Sequence, residues 1–558
     1  MKLKIILIMS LALLLAACGG AAPTAEPKAA PATEEAKPAA TEAAKPAQEA
    51  APAADEAKPA DAAAMAQNIA TYAYPGSFPD LDPSSSFSSE NAVLGNVYET
   101  LTFYNPPGAK EALSPKLAVS WEPNADSTEW TFKLREGVKF HDGTPFNADA
   151  VKFSLERTKG LGLGAAFILD PIDKIEPVDN LTVKFTLKYA APLDLILSSG
   201  YAAWMISPAA KDKDNKWFND GNDAGTGPYL IETYNHDQNA ILTQFKDYWG
   251  GWQEGQFTKV VFENYSDPTV AEQQIRSGEV DFTHTLPFEN YDALAQAEGV
   301  VVDVTPSFQN LLGLLNNVKP PLDNPKVRQA LSYSFPYDVV AKNLYAGKGT
   351  LAKGPVPADM WGHNNEIKGY TFDPDKAKAL LAEAGIKEGE LKLVYTFLAS
   401  DKDEQQVGEI WRSELAKIGV DLEVRGLAWE AQWDLGKTNP KEAQDIFAFY
   451  WWPTYVTPYD FLYSMFRTED PPNFNLGYYA NPKFDALIDE ANTLSGVDRE
   501  KATQMFGQAQ QMLVDDAASI FILDLPNVHV LRDDIKGFVN NPAYSHVVFW
   551  YDLRREAK

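Results

Sequence analysis

Residues 130–157, WTFKLREGVKFHDGTPFNADAVKFSLER, constrain the fold of this chain more than any other stretch. Trp130, Phe132 and Leu134 alternate with Thr131, Lys133 and Arg135, the period-two pattern of a half-buried strand. Glu136-Gly137 turns the chain into a second extended piece at 138–140. His141-Asp142-Gly143-Thr144-Pro145 is dense in turn residues, so His141 and Asp142, which resemble a functional pair, are read as turn formers. Asn147 can then cap a helix whose apolar side carries Ala150, Val151, Phe153 and Leu155. No nucleophile is paired with a base and no cluster has metal-ligand spacing. The stretch is architecture, and it predicts a mixed α/β fold.

A chain of 558 residues is too long for one core, so two or more domains are expected. With 77 Asp and Glu against 49 Lys and Arg, the acidic balance argues against nucleic acid, whose phosphates it would repel. The single cysteine, Cys18, excludes an internal disulfide and a cysteine-based metal site. It follows a basic start at Met1-Lys2-Leu3-Lys4 and an apolar run at 5–15 that is too short to span a bilayer. Leu15-Ala16-Ala17-Cys18 resembles a bacterial lipobox. The expectation is a signal peptide at 1–17, a lipidated Cys18 and an extracytoplasmic chain tethered at the membrane; an ordinary signal peptide is the alternative. Residues 18–65 are almost entirely Ala, Pro, Glu, Lys and Thr, which cannot bury a core and read as a linker.

From residue 68 onward strands and helices alternate. A strand is predicted at 68–74, a helix at 91–101 and a strand at 181–187, with a strand-rich insertion near 105–200. Gly225-Thr226-Gly227-Pro228-Tyr229 leads through extended chain to Tyr248-Trp249-Gly250-Gly251. Asp267-Pro268, Asn324-Pro325, Asp373-Pro374 and Asn481-Pro482 are helix starts with a capping side chain before proline. Strands are predicted at 391–397, 420–424 and 520–525, and a helix from Val407 to Gly419. Residues 401–404 read as a solvated helix start.

The opening stretch, the GTGPY and YWGG pair, the PLDNPKVRQALSYSF helix start and the closing Ile535-Lys536-Gly537-Phe538 resemble, in this order, solute-binding protein family 5, extracellular receptors of ABC importers. The resemblance spans about residues 68–553. It implies a two-lobed periplasmic-binding-protein fold (class II, Venus-flytrap) with an extra subdomain in lobe one. Lobe one is expected at 66–308 with its subdomain at about 105–200, lobe two at 309–522, and a return to lobe one at 523–558. The implied role is a monomeric receptor that captures a small solute in the cleft and passes it to a permease driven by ATPase subunits. It implies no catalysis and no cofactor.

Peptide-binding members hold the ligand's amino terminus with an aspartate on a Trp-rich loop of lobe two. In this chain that loop reads YWWPTYVTPYDFL over residues 450–462, and alignment on Trp451 and Pro458 places Thr454 at the aspartate position. A neutral hydroxyl cannot make a carboxylate's charge-assisted bond to an ammonium. Asp460 is expected to face away. Trp451, Trp452, Thr454, Tyr455 and Tyr459 are therefore ligand candidates, together with Trp361, Trp429, Tyr74, Phe78 and, at the hinge, Gln309 and Asn310. Aromatic faces of this kind stack on apolar groups, sugars or cations. Peptide is the family expectation; an oligosaccharide, another solute or a nickel complex are alternatives, and a glycoside hydrolase is the remote one. The six histidines (141, 236, 284, 363, 529 and 546) are scattered and none is expected to bind metal.

Overall fold

The structure is a computed structural model in which residues 69–544 and 547–556 are described. The signal-like segment, Cys18 and the linker lie outside the described residues. A large mixed sheet forms the frame. At its middle, the long strands Val300–Leu315 and Ser519–Arg532 pair antiparallel. On one side lie Ile446–Trp451, Lys392–Leu398 and Asp421–Leu427; on the other, Phe282–His284, Ile69–Pro75, Lys259–Tyr265, Asn239–Gln244 and Tyr229–Asn235. The two central strands are thus common to both halves. Their ladder changes register after Pro306, which sits opposite Pro526. Two facing prolines supply no N–H to the ladder, so the pairing loosens there. The return strand runs well beyond the predicted 520–525 because Val528, Val530 and Leu531 also find an apolar core.

The alternation at 130–135 reads out as expected. In a separate four-stranded sheet, Glu129–Leu134 lies between Ala118–Pro123 and Thr182–Leu187, with Ile172–Asp179 at the far edge. Trp130 and Phe132 are buried opposite Phe185 and Val183. The next helix, Ala148–Leu161, is capped by the Asn147 side chain, which accepts from the N–H of Ala150 at 3.0 Å. It buries Ala150, Val151 and Leu155, whereas Phe153 is only partly buried and packs on a different core.

His141 is more than a turn residue. Its imidazole is buried between the Asp223 carboxylate and the Gly227 carbonyl, the latter at 2.9 Å from Nε2. Burial pulls its pKa down, and the Asp223 charge outweighs this and raises it. Asp142 keeps the turn role, accepting from the N–H of Thr144 at 2.8 Å. His141 thereby ties the opening stretch to the Gly225–Tyr229 segment. That segment also ends the helix Asn91–Val97, shorter than the predicted 91–101. The Gly227 N–H donates to Val97 O at 2.9 Å, and a Cβ on Gly225 would lie 2.0 Å from the same oxygen. Glycine is required there because two backbones meet.

The helix starts at Pro268, Pro325, Pro374 and Pro482 are all observed, each capped by the preceding Asp or Asn. One apolar cluster joins the four-stranded insertion to Phe447, Phe449, Trp451 and Phe461 of the other half, while separate clusters fill each half of the main sheet.

Candidate ligand-binding site

The Trp-rich segment is less of a loop than the sequence implies. Ile446–Trp451 is a strand, since β-favouring aromatic and branched residues fill a central position beside Val300–Leu315. Thr457 caps a helix, Pro458–Phe466, that carries the rest. Only 452–457 links the two elements. The link is held on both sides: Trp361 Nε1 donates to Val456 O at 2.8 Å, and Ser199 Oγ, from the first-half insertion, donates to Thr454 O at 2.6 Å.

Asp460 does not face away. The helix start at Pro458 puts it at the third position of the first turn, from which a carboxylate reaches back across the helix N-terminus. It accepts from Trp451 Nε1 at 3.0 Å, from the Thr454 N–H at 3.3 Å and from the Thr454 hydroxyl. Burial pushes its pKa up to about 7. Thr454 is thus occupied with Asp460, and Asp460 is a buttress for the link.

Opposite the link stands a set of groups that the sequence did not single out. In the segment running from Ser86 into the helix Asn91–Val97, Glu90 Oε1 accepts from the Phe87 N–H at 3.1 Å, while Glu90 Oε2, Asn91 Oδ1 and Ser86 Oγ are buried without a hydrogen-bond partner. The Tyr201 ring lies 5.4 Å from that of Phe87, and the Tyr201 hydroxyl is also buried. So is Trp452 Nε1, on the link. Asn91 and Trp452 act on the Tyr201 hydroxyl as hydrogen-bonding neighbours and Glu90 through its charge, which places the three around it. Burial raises the pKa of Glu90. Donors (indole and hydroxyls) and acceptors (a carboxylate and an amide oxygen) are both present.

The remaining candidates are not all in one place. Tyr455 is buried and close enough to feel the Asp460 charge, so it belongs with the link. Tyr74 and Phe78 are fully buried against each other, 4.7 Å between rings, and the Tyr74 hydroxyl donates to Ser89 O at 3.2 Å; they support the Ser86–Asn91 segment from behind. Asn310 is buried beside the central strands, with Nδ2 donating to Pro355 O at 2.7 Å, and Gln309 is half-buried next to it. Tyr459 lies elsewhere, its hydroxyl donating to Asp489 at 3.0 Å. Trp429 is 42% exposed and stacks on Trp433 and Phe449. A run of serines before a helix cap, Ser84 to Asn91, was the available signal for the missed segment, and it reads equally well as turn chemistry.

Among the described residues no group of three or more His, Cys, Asp or Glu has the arrangement to hold a metal ion. His284 Nδ1 meets the Tyr72 hydroxyl at 2.6 Å, and His363 Nδ1 meets Val356 O at 2.8 Å. Residues 401–404, read as a solvated helix start, are so only in part: Lys402 is exposed and Asp401 and Asp403 are half-buried, but Glu404 is buried and accepts from the Leu398 N–H at 2.9 Å. Among the described residues no helix is long and apolar enough to cross a membrane.

Residues 112–473 match the family model for the middle part of bacterial extracellular solute-binding proteins, family 5. The probable D,D-dipeptide-binding periplasmic protein DdpA of Escherichia coli K12 is 31% identical over 479 residues, covering 84% of this chain and 90% of the relative. Among solved structures, DppA from Helicobacter pylori in complex with the peptide STSA superposes with a TM-score of 0.74 at 24% identity, over 88% of this chain and 98% of that one. NikA from Brucella suis in complex with Fe(III)-EDTA gives 0.77 at 20% identity, over 88% and 100%.

Proposed function

The chain belongs to family 5 of the bacterial extracellular solute-binding proteins, a family of substrate-binding proteins and not of enzymes, and we propose that it captures a short peptide between its two lobes and delivers it to an ABC permease. The observation that carries the ligand class is the set of buried donors and acceptors around Tyr201, with the second oxygen of Glu90 free among them. A peptide offers N–H donors and carbonyl acceptors in alternation, and Trp452 Nε1, the Tyr201 hydroxyl, Asn91 Oδ1 and Glu90 Oε2 supply the complement. DdpA and DppA, by their names and ligand, bind peptides.

Thr454 stands where peptide-binding members of the family carry an aspartate, and Asp460 is already saturated. The amino terminus of the ligand is therefore assigned to Glu90, whose second oxygen has no partner. A buried ammonium–carboxylate contact is a strong, charge-assisted bond. In this reading Tyr455 and Trp452 cover the ligand from lobe two, and Gln309 and Asn310 line the hinge. Lobe one comprises 66–308 with its insertion, lobe two 309–522, and 523–558 returns to lobe one. The protein acts as a monomer outside the cytoplasm, anchored through a lipidated Cys18 and spaced from the membrane by the 18–65 linker.

Mass spectrometry of solute retained by the purified protein tests the ligand class. A peptide supports this reading. A retained sugar or metal chelate contradicts it.

A further inference from the structure

The facing prolines Pro306 and Pro526 supply no N–H to the central ladder, and beside them the strands leave a cavity of about 120 Å³. It is closed by the crossing strands at 304–307 and 524–526, by the short strand Thr350–Leu351 and by the loop at Ala358-Asp359. Asp524 lines the cavity and is only 6% exposed. One of its oxygens accepts from the Ala358 N–H at 3.0 Å, and the other makes no hydrogen bond. Thr305 lines the cavity too, and its hydroxyl is buried without a partner.

Asn310 stands directly opposite Asp524 in the ladder, so the two side chains share a face of the sheet. Both reach the same loop. Asn310 Nδ2 donates to Pro355 O at 2.7 Å, which fixes the amide and leaves Oδ1, also buried, without a donor. The unfilled groups are thus a carboxylate oxygen, an amide oxygen and a hydroxyl. Two of these can only accept, and the third can accept. The charge balance calls for a cation. Lys348 is the only cation among the lining residues, and its ammonium is engaged with Asp292 at 2.8 Å. Burial, together with the charge of Asp359 at the exposed rim, pushes Asp524 up to about 7. A water molecule would bring donors to this place but no charge.

We propose that this hinge cavity is a binding site for a small primary ammonium, which donates to Asp524, Asn310 and the Thr305 hydroxyl. Three N–H donors on a compact charge match three acceptors beside a small cavity. None of the groups around Tyr201 lines it, and the proposal goes beyond the peptide reading. An occupant here joins the loop at Ala358-Asp359 to the crossing strands, so its binding acts on the hinge. Two sources carry this chemistry, a free amine from solution and a lysine side chain of the bound solute, and the test separates them.

Melting curves of the full chain are recorded with methylammonium chloride and, at equal ionic strength, with tetramethylammonium chloride, which has no N–H. Methylammonium is expected to raise Tm by about 2 °C or more above the control. Asp524→Asn is expected to abolish that difference, and Asp359→Asn, at the exposed rim where folding is not at risk, to reduce it. In parallel, calorimetry compares Ala-Lys-Ala with Ala-Met-Ala. A tenfold preference for the lysine peptide that Asp524→Asn erases, without a methylammonium shift, makes the solute's own ammonium the occupant and supports the site. Absence of both effects, or effects that survive both variants, would overturn it and leave the cavity to water. Binding of Ala-Met-Ala in that case leaves the receptor reading standing; failure of both tripeptides to bind counts against that reading, while the methylammonium result still decides the site.

Discussion

Asp460 bears three hydrogen bonds on a carboxylate whose pKa burial raises to about 7. A folded-state value above the ordinary one means the folded protein holds more protons than the unfolded one. Stability from this group is therefore present at low pH and is lost as pH rises from about 4 through about 7. Asp460→Asn removes that slope but cannot accept on both oxygens, which costs about 1–3 kcal/mol. Melting curves should show the variant less stable at about pH 5, with the gap narrowing toward about pH 8; a pH-independent gap would contradict the assignment. Glu90→Gln is expected to weaken binding of an amine-bearing peptide by tenfold or more and to spare an N-acetylated one, read by titration. At this scale the sequence raised the expectation of a departure at Thr454 but not its consequence. That depended on the register of the helix at Pro458, which decides whether Asp460 turns toward the link or away from it.

Elements with strong local chemistry were the legible ones. An Asp or Asn before proline fixed four helix starts, because a cap and a preset φ are satisfied by adjacent residues alone. The aromatic segment at 446–466 was not legible as strand, link and helix, since its residues suit any of these and tertiary pairing chose. The glycines of the GTGPY segment matched the family pattern, while their cause, contact with Val97, is long-range. Gly225→Ala should cost stability at the upper end of about 1–3 kcal/mol, measured by urea unfolding, because the new Cβ meets backbone. At the helix Lys402–Lys417 the raised Glu404 pKa predicts the opposite sign of effect. Glu404→Gln keeps an acceptor for the Leu398 N–H and removes a buried charge, so it should raise the melting temperature at about pH 8 and change it little at about pH 5. No gain at the higher pH would mean the carboxylate is solvated after all.

For the whole molecule, family membership carried the two-lobed plan, and the structure adds how the halves meet. Two central strands pass between them, with the facing prolines Pro306 and Pro526 at the point where pairing loosens. The insertion meets the far half through the polar contacts Ser199 to Thr454 and Asp194 to Arg499 at 3.7 Å, through the nearby rings of Phe167 and Phe474, and through a shared apolar cluster. The central claim is that a peptide is held between Tyr201 and Trp452. The most direct measurement is calorimetric titration of the wild-type chain and of Trp452→Ala with a pool of dipeptides to pentapeptides. One-to-one saturable binding that falls tenfold or more in the variant is the expected result. No binding by the wild type, or equal affinity in both, would contradict the account.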